Sequence, residues 1–240
     1  METSVIIPCW IIDNSLLSLT YQCVEAVRDT SDVELILIDN ASTLGSDFMM
    51  SESDIYVKNS ANIGFTKAVN QGIKLATKPY IVVGNNDVIV SKGWEEELKK
   101  VLDRIDSCGA VLPDMDNNPV DDILYPEGVT GAWWMTTKNV LSRVGVLDER
   151  FFNRFSDLDF VTRLNNSHMD CLRTTKAKVE HKKSQSLGKL SHINNENEYV
   201  ESRNKYLVKW RHNPDVRKRL ADVMGEEMVN EFFKSVEHIT

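Results

Sequence analysis

Two acidic residues stand at the ends of predicted buried strands, and their positions predict a shared ligand site. Asp39 comes after an apolar run over residues 33–38, and Asp87 follows a second run, over residues 80–83, after the turn Gly84-Asn85-Asn86. In an open sheet of parallel strands, ligands bind in the crevice outside the carboxyl ends of the strands. We therefore expect both carboxylates to face that crevice.

A nucleotide bound in the crevice needs a group that holds its phosphates. A dinucleotide site requires G-x-G-x-x-G after the first strand, whereas residues 8–13 read Pro-Cys-Trp-Ile-Ile-Asp. The phosphate loop G-x-x-x-x-G-K-[ST] occurs nowhere in the sequence. These differences exclude the dehydrogenase and ATPase classes. Without such backbone amides, a divalent metal ion is the expected partner of a diphosphate.

The elements that must position these residues alternate along the chain. Apolar spacing predicts strands over residues 4–8, 33–38, 55–57, 80–83 and 110–112, and helices over residues 16–27, 65–76 and 94–105. This alternation predicts an α/β fold, a mostly parallel sheet with helices on both faces. Further helical patterns over residues 198–211 and 215–236 predict C-terminal helices.

The last predicted helix carries an apolar stripe. Its members are Val216, Leu220, Val223, Met228 and Phe232. Such a stripe covers a core, forms a dimer or lies on a membrane, and core coverage is the default interpretation.

Composition limits the class of protein. The chain has 240 residues, of which 42% are apolar and 27% charged, as in ordinary soluble globular proteins. No apolar run approaches the ~18 residues that a membrane span needs, and the N-terminus lacks a signal-peptide pattern. The four cysteines form no Cys-x-x-Cys pair, so we expect neither a disulfide framework nor a zinc knuckle. These features predict a cytoplasmic protein.

Charge is distributed unevenly along the chain. Residues 1–170 carry 14 basic and 26 acidic side chains, whereas residues 171–220 carry 13 basic and 5 acidic ones, within a total of −8. A basic block after an acidic body marks either a site that meets an anion or a solvated helix face.

Eight segments, taken in order, resemble a known family. They are Val5-Ile-Ile-Pro8; Ile38-Asp39-Asn40-Ala41-Ser42; Asn62-Ile-Gly64-Phe65 with Ala68-Val-Asn70-Gln-Gly72; Gly84-Asn85-Asn86-Asp87 with Gly93-Trp94; Thr130-Gly131-Ala132-Trp133; Val144-Gly145-Val-Leu-Asp148-Glu149-Arg150-Phe151-Phe152; Ser156-Asp157-Leu158-Asp159 with Arg163; and Val179-Glu-His181. The series is similar to the inverting nucleotide-sugar glycosyltransferases of GT-A fold, of the family 2 type, and especially to their rhamnosyltransferase-like members. It extends over residues 4–181, about three quarters of the chain.

The resemblance implies a domain organisation and an activity. Residues 1–190 would form the GT-A domain, with a nucleotide-binding half at 1–112 and an acceptor and catalytic half at 113–190, and residues 191–240 would be its helical extension. The implied activity is metal-dependent, inverting transfer of a sugar from a nucleotide-diphosphate sugar, of UDP or dTDP type, to an acceptor hydroxyl.

For the nucleotide, the resemblance implies that Asp39 accepts a hydrogen bond from the N3–H of uracil or thymine. The implied nucleotide-binding residues are Pro8, Trp10, Asp39, Asn62, Lys67, Asn85 and Asn86. Asp39 followed by Asn40-Ala41-Ser42 also reads as an ordinary turn, and Asn62 as a loop residue.

For the metal, the resemblance implies Asp87 and His181 as ligands of Mn²⁺ or Mg²⁺. Asn85 stands where the better-known Asp-x-Asp motif has its first carboxylate. A lone histidine at a strand end is more often an ordinary satisfied or exposed side chain, and only the ordered series favours His181 as a ligand.

Asp157 is the implied general base, which takes the proton of the acceptor hydroxyl. Ser156 also reads as a helix cap, with Asp157 and Asp159 in the first turn. The two interpretations are compatible, because a helix N-terminus keeps a carboxylate ionised. Asp159 then acts as a structural residue or a positioner. The family has a glutamate where this chain has Ser156.

Acceptor or donor-sugar contacts are expected from Gly131, Ala132, Trp133, Trp134 and Asp159. The two adjacent indoles would point to opposite sides of a strand, one to the core and one to the crevice as an acceptor platform. Core packing is the alternative for either. The polar segment 182–198 would be a lid whose lysines bind the diphosphate: Lys182, Lys183 and Lys189.

Several alternatives stay open. Asn85 and Ser156 leave room for a sugar-nucleotide-binding protein that has lost turnover. The expected acceptor is a glycan or lipid-linked intermediate, which would place the protein in the cytoplasm or peripheral to the membrane. A modified base in DNA is the less favoured acceptor, because the acidic body discourages nucleic acid. The last helix leaves an oligomer open.

Overall fold

One mixed sheet carries Asp39 and Asp87 at its strand ends. The computed structural model describes residues 1–115, 123–124, 132–182 and 195–237. The strands are β1 (Thr3–Cys9), β2 (Glu34–Asp39), β3 (Ile55–Lys58), β4 (Tyr80–Gly84), β5 (Val88–Val90), β6 (Cys108–Asp114), β7 (Ile123–Leu124), β8 (Trp133–Thr137) and β9 (Asp170–His181). The helices are α1 (Asn14–Thr30), α2 (Ser46–Glu52), α3 (Phe65–Leu75), α4 (Trp94–Arg104), α5 (Lys138–Val144), α6 (Ser156–Asn166), α7 (Asn195–Trp210), α8 (Pro214–Met224) and α9 (Glu226–Lys234).

The sheet is mostly parallel, which confirms the prediction. Its order is β3-β2-β1-β4-β8-β6-β9-β5, and β7 pairs with β9. Parallel pairs join β3 to β2, β2 to β1, β1 to β4, and β6 to β9. Strand β8 runs antiparallel to both of its neighbours, β4 and β6. Strands β1 to β4, β6 and β9 therefore point the same way, and we call the edge at which they end the carboxyl edge.

Helices cover both faces of the sheet, as predicted. Helices α1, α2 and α4 pack on one face, and their buried side chains include Leu16, Met49 and Trp94. Helices α3, α5 and α6 pack on the other face, with Val69, Leu141 and Phe160 among their buried side chains. Successive strand residues point to opposite faces, so β1 supplies both cores.

The C-terminal helices form a third core. It contains Phe151 and buried side chains of α7, α8, α9 and the residues that follow α9: Tyr206, Leu207, Val216, Val229, Phe233 and Val236. The apolar faces of these helices thus cover one another and the segment that precedes α6. This is the core coverage that was the default expectation.

The prediction of a single helix over residues 215–236 is wrong, because the chain forms two helices there, α8 and α9. Gly225 separates α8 from α9 with a positive φ of 87°, a conformation that favours glycine. The break changes which residues face inward. Val229 and Phe233 are buried, whereas Met228, a member of the predicted stripe, is 53% exposed.

Gly84→Ala is expected to destabilise the fold by about 1–3 kcal/mol, the usual cost of overpacking. A Cβ at Gly84 would lie 2.3 Å from the indole of Trp133, which is buried on the neighbouring strand and cannot retreat. Urea unfolding of the variant measures the loss. Ser91→Ala, at an exposed position, is the control, and equal midpoints for the two variants would contradict the close packing.

Within the described residues, no helix combines the length and apolar character that crossing a membrane requires.

All four cysteines are buried free thiols. Burial raises the pKa of Cys23, Cys108 and Cys171 to about 12, so these thiols stay protonated and unreactive near neutral pH.

Candidate active site

Asp87 and His181 meet at the carboxyl edge because β5 pairs with the end of β9. The antiparallel register sets Val88 opposite His181, and the backbone N–H of Lys182 donates to the Asp87 carbonyl at 2.9 Å. As a result, Asp87 Oδ1 lies 3.2 Å from His181 Nε2. The two residues that the resemblance implied as metal ligands are therefore adjacent in space.

The two facing atoms are buried and lack a hydrogen-bond partner among the described residues. Their separation is that of an ion pair, but their alignment is not that of a hydrogen bond. A buried polar atom without a partner costs free energy, and a cation between the two would satisfy both. A carboxylate oxygen and an imidazole nitrogen suit Mn²⁺, so the donor set fits a divalent ion. No third His, Cys, Asp or Glu joins them in the described part of the chain.

Asn85 and Asn86 form the turn that leads to Asp87. The backbone N–H of Asn85 donates to the Ala132 carbonyl at 2.8 Å. The Asn86 side chain is buried, and its Nδ2 donates to Thr20 Oγ1 at 2.8 Å. The amide of Asn86 thus ties the turn to α1. This hydrogen bond gives the Asn86 side chain a structural role, and its expected contact with a nucleotide stays a prediction.

Asp39 is the centre of a buried polar cluster. Oδ1 accepts a hydrogen bond from the backbone N–H of Ser42 at 2.7 Å, and Oδ2 accepts from Ser46 Oγ at 2.8 Å and from Tyr56 Oη at 2.7 Å. Lys58 Nζ lies 3.8 Å from Oδ2. The turn interpretation of Asp39 is therefore correct. The Asp39 side chain is fully buried in this cluster, and its expected contact with a base stays a prediction.

The Asp39 cluster predicts a pH dependence of stability. Burial opposes ionisation of Asp39, but the hydrogen bonds from Ser42, Tyr56 and Ser46 outweigh it and hold the pKa below its ordinary value of 3.8. A lowered pKa means that the ionised carboxylate stabilises the fold above pH ~4, and that this contribution is lost as the pH falls through the folded-state pKa. We expect Asp39→Asn to be less stable than wild type at pH 7, with a difference that narrows below pH 4.

Urea unfolding at pH 7, 5 and 3 measures this dependence. Asp47→Asn, an exposed carboxylate of the neighbouring helix α2, is the control and should follow the wild-type curve. A difference between Asp39→Asn and wild type that stays constant over the three pH values would contradict the lowered pKa.

The Asn62 loop borders the same cluster. Asn62 Oδ1 accepts hydrogen bonds from Asn40 Nδ2 at 2.8 Å and from the Gly64 N–H at 2.9 Å. The loop role of Asn62 is thus present, and its half-buried side chain stands beside Asn40, next to Asp39. Lys67 is exposed in the first turn of α3, and Pro8 and Trp10 are half-buried at the end of β1.

Asp157 lies in the first turn of α6, as expected, together with Asp159. The cap differs from the prediction, because Ser156 is already helical and Phe155 precedes it with a φ of 67°. Helix α6 leads through a short turn into β9, and Asp157 shares a small cavity with Cys171, the second residue of that strand. Asp157 is half-buried, and Trp134 and Phe160 line the same cavity.

Asp159 lies in a buried polar cluster between α6 and α7, and its expected contact with a sugar stays a prediction. It is fully buried, and its carboxylate accepts from Arg163 Nε at 2.9 Å and from Trp210 Nε1 at 3.0 Å. Lys209 Nζ lies 2.5 Å from Asp159 Oδ1. These donors join α6 to the end of α7. The sequence left two interpretations of Asp159 open, as a structural residue or as a positioning residue. This arrangement agrees with both.

The tryptophan pair does not form a platform in the crevice. Trp133 and Trp134 are 0% and 3% exposed, which contradicts the expectation that one of them faces the crevice. They do point to opposite faces of β8, but helices cover both faces. Trp133 packs edge-on against Trp94, with ring centroids 5.2 Å apart, and Trp134 packs against Phe160 at 5.1 Å. Core packing, the alternative interpretation, holds for both.

The remaining predicted contacts fall at the border of the described residues. Ala132 is buried, and its carbonyl is the acceptor for Asn85. Lys182 Nζ pairs with Glu180 at 2.6 Å. Gly131, Lys183 and Lys189 lie outside the described residues, so their proposed contacts stay predictions.

Sequence reasoning missed the neighbours that hold Asp39. Tyr56 and Lys58 are two residues apart on β3. Period-two spacing therefore places both side chains on the same face of the strand, beside the end of β2. Ser46 belongs to α2, a short helix without a strong apolar pattern. Glu198 was missed as well: it lies on α7 and contacts the segment before Asp157.

Known structures of glycosyltransferases share this fold. A mannosyltransferase from Pyrobaculum calidifontis, in complex with GDP-Man and Mn²⁺, matches with a TM-score of 0.66 and 14% identity, over 86% of this chain and 64% of its own. GalNAc-T7 with UDP, GalNAc and Mn²⁺ matches at 0.64 and 13%, over 75% and 44%. S. aureus TarS 1-349 with UDP-GlcNAc matches at 0.63 and 12%, over 98% and 71%. The chain thus spans less than half of GalNAc-T7 and less than two thirds of the mannosyltransferase.

Two sequence comparisons gave different results. No curated protein sequence matches the chain significantly. Residues 4–155, more than half of the chain, match the profile of glycosyl transferase family 2. This range includes Asp39 and Asp87 and ends two residues before Asp157. The chain belongs to glycosyl transferase family 2.

Proposed function

We propose that the protein is a metal-dependent, inverting glycosyltransferase that uses a nucleotide-diphosphate sugar. The observation that carries the proposal is the buried pair Asp87 Oδ1 and His181 Nε2, 3.2 Å apart and without hydrogen-bond partners among the described residues. The pair stands at the carboxyl edge, where sheets of this kind bind their ligands. Membership of the family supports the class of reaction.

Asp87 and His181 would hold the divalent ion, Mn²⁺ or Mg²⁺. When bound, the ion supplies positive charge that stabilises the diphosphate as it leaves. Two of the similar structures contain Mn²⁺, which supports this assignment. The basic residues next to His181, with Lys182 first, would add further positive charge at the diphosphate.

Asp39 would select the base of the donor. Its Oδ2 accepts from Ser46 and Tyr56, and Oδ1, which accepts from the Ser42 N–H, would also accept the N3–H of uracil or thymine. A UDP- or dTDP-type donor fits this acceptor. UDP and UDP-GlcNAc in two similar structures, and GDP-Man in the third, support a nucleotide-sugar donor in general.

Asp157 would be the general base. In an inverting transfer the acceptor oxygen attacks the anomeric carbon opposite the diphosphate, so one bond forms as the sugar–phosphate bond breaks. The hydroxyl proton passes to the Asp157 carboxylate, and the electron pair of the broken bond leaves with the diphosphate. The first turn of α6 favours the ionised form that a base needs. A glycan or lipid-linked alcohol is the proposed acceptor.

Donor hydrolysis tests this function against a binding protein without turnover. The protein is incubated with UDP-, dTDP- and GDP-sugars in Mn²⁺ or in EDTA, and the released nucleoside diphosphate (UDP, dTDP or GDP) is quantified. We expect release from one nucleotide class and only with Mn²⁺. No release from any donor, together with tight donor binding, would favour the binding protein instead.

A further inference from the structure

Helix α7 holds the chain on both sides of Asp157. Before it, Oε1 of Glu198 accepts hydrogen bonds from the backbone N–H groups of Asn153 and Arg154, each at 3.3 Å. After it, Asp159 binds Lys209 Nζ and Trp210 Nε1. Glu198 and Lys209 are about three turns apart, or ~16 Å along the axis of α7. One rigid helix thus fixes both flanks of the proposed base.

Phe155, between these two anchors, has a strained backbone. Its φ of 67° lies in the left-handed region, which is unfavourable for residues that have a β-carbon. Such strain persists where the surroundings impose it, and it is common at functional sites. The ring of Phe155 contacts Tyr199 and Tyr206, with centroids 5.4 and 5.8 Å apart. Both tyrosines belong to α7.

Charged side chains make several of the contacts between α7 and this segment, and Asp159 among them is fully buried. Lys209 Nζ lies 2.8 Å from Asp148 as well as close to Asp159. Burial opposes ionisation of Asp148, but the hydrogen bonds from Arg150 and Lys209 hold its pKa well below the usual range. Buried ion pairs contribute little net stability compared with apolar packing. Their directed hydrogen bonds instead define one arrangement of α6 relative to α7.

We propose that Glu198 and Lys209 are positioning residues for the transfer reaction. They hold the first turn of α6 so that the Asp157 carboxylate faces the acceptor hydroxyl. This inference rests on the proposed role of Asp157 as the base. The profile match ends at residue 155, so α7 supplies this support from outside the matched region. A general base must reach the proton that it accepts, and a misplacement of about 1 Å costs on the order of 10²-fold in rate.

The first test compares two glutamates of α7. Glu198→Ala removes the acceptor for Asn153 and Arg154, whereas the control Glu201→Ala removes only an exposed ion pair with Lys205. The assay is hydrolysis of the UDP-, dTDP- or GDP-sugar that wild type hydrolyses fastest, below the melting temperature of every variant. We expect Glu198→Ala to lower kcat about 10–100-fold, with an unchanged KM for the donor. Glu198→Gln, which keeps an oxygen acceptor, should restore most of the rate.

Lys209→Met tests the second anchor, and it also serves if Glu198→Ala does not fold. Its control is Lys218→Met, an exposed lysine of α8. We expect the same pattern, a lower kcat with an unchanged KM for the donor. Rates equal to those of the control variants at both anchors would overturn the inference.

A double-mutant cycle separates positioning from simple structural support. If Glu198 acts through Asp157, adding Glu198→Ala to Asp157→Asn lowers the rate no further, because the base is already absent. A purely structural role would lower the rate by the same factor in both backgrounds, and that result would overturn the inference. Wild-type activity of Asp157→Asn would instead overturn the proposed function. An inactive Asp157→Asn beside a fully active Glu198→Ala would overturn only the positioning role.

Discussion

Asp157→Asn is expected to lower kcat by about 10²–10⁴-fold, the usual contribution of a general base. Asparagine keeps the size and polarity of the side chain in the first turn of α6 but cannot take the proton of an acceptor hydroxyl. Because a general base acts on the acceptor hydroxyl, we expect donor affinity and its dependence on Mn²⁺ to stay unchanged. Steady-state kinetics and donor titration by calorimetry measure the two effects separately.

Asp47→Asn is the matched control for this substitution. Asp47 also lies in the first turn of a helix, α2, and it is exposed. Any effect of losing a negative charge at a helix N-terminus should therefore be common to both variants. Equal kcat values for Asp157→Asn and Asp47→Asn would remove Asp157 from the mechanism.

Asp87→Ala is expected to abolish Mn²⁺-dependent binding of the nucleotide. In wild type, a ligand at 100 times its dissociation constant stabilises the fold by ~2.7 kcal/mol, and the variant should lose this increment. The unliganded variant should melt no lower than wild type, because the substitution removes a buried carboxylate whose Oδ1 has no hydrogen-bond partner among the described residues. Differential scanning calorimetry with and without ligand measures both quantities.

Asp106→Ala, at an exposed site on the loop before β6, is the control for Asp87→Ala. It should keep the full ligand-induced shift. A lower melting temperature of unliganded Asp87→Ala, combined with an intact Mn²⁺-dependent shift, would assign Asp87 a structural role instead.

The residues at the strand ends could be predicted because local pattern determines them. Apolar runs identify β2 and β4, and a parallel sheet places their carboxyl ends together, so the pattern alone assigns Asp39 and Asp87 to one edge. The proximity of His181 to Asp87 requires the pairing of β5 with β9. Strand β5 has three residues, too few for a pattern, and the pairing joins distant segments.

Other features depend on what covers an element. Period-two spacing predicts that Trp133 and Trp134 point to opposite faces of β8, and the structure confirms this. Spacing alone does not reveal that α4 and α6 cover those faces, which is why the predicted platform is wrong. Gly225 was visible in the sequence as a helix breaker, and it would have predicted the division into α8 and α9. The Glu198 contacts link α7 to backbone groups, which no side-chain pattern encodes.

We propose that Asp87 and His181 hold a divalent ion through which the protein binds a nucleotide diphosphate. The most direct measurement is the melting temperature of the wild-type protein with UDP, dTDP or GDP, each in Mn²⁺ and in EDTA. We predict that one of the diphosphates, of uracil or thymine type, raises the melting temperature only when Mn²⁺ is present. An equal rise in EDTA, or no rise with any diphosphate, would contradict a metal site at Asp87 and His181.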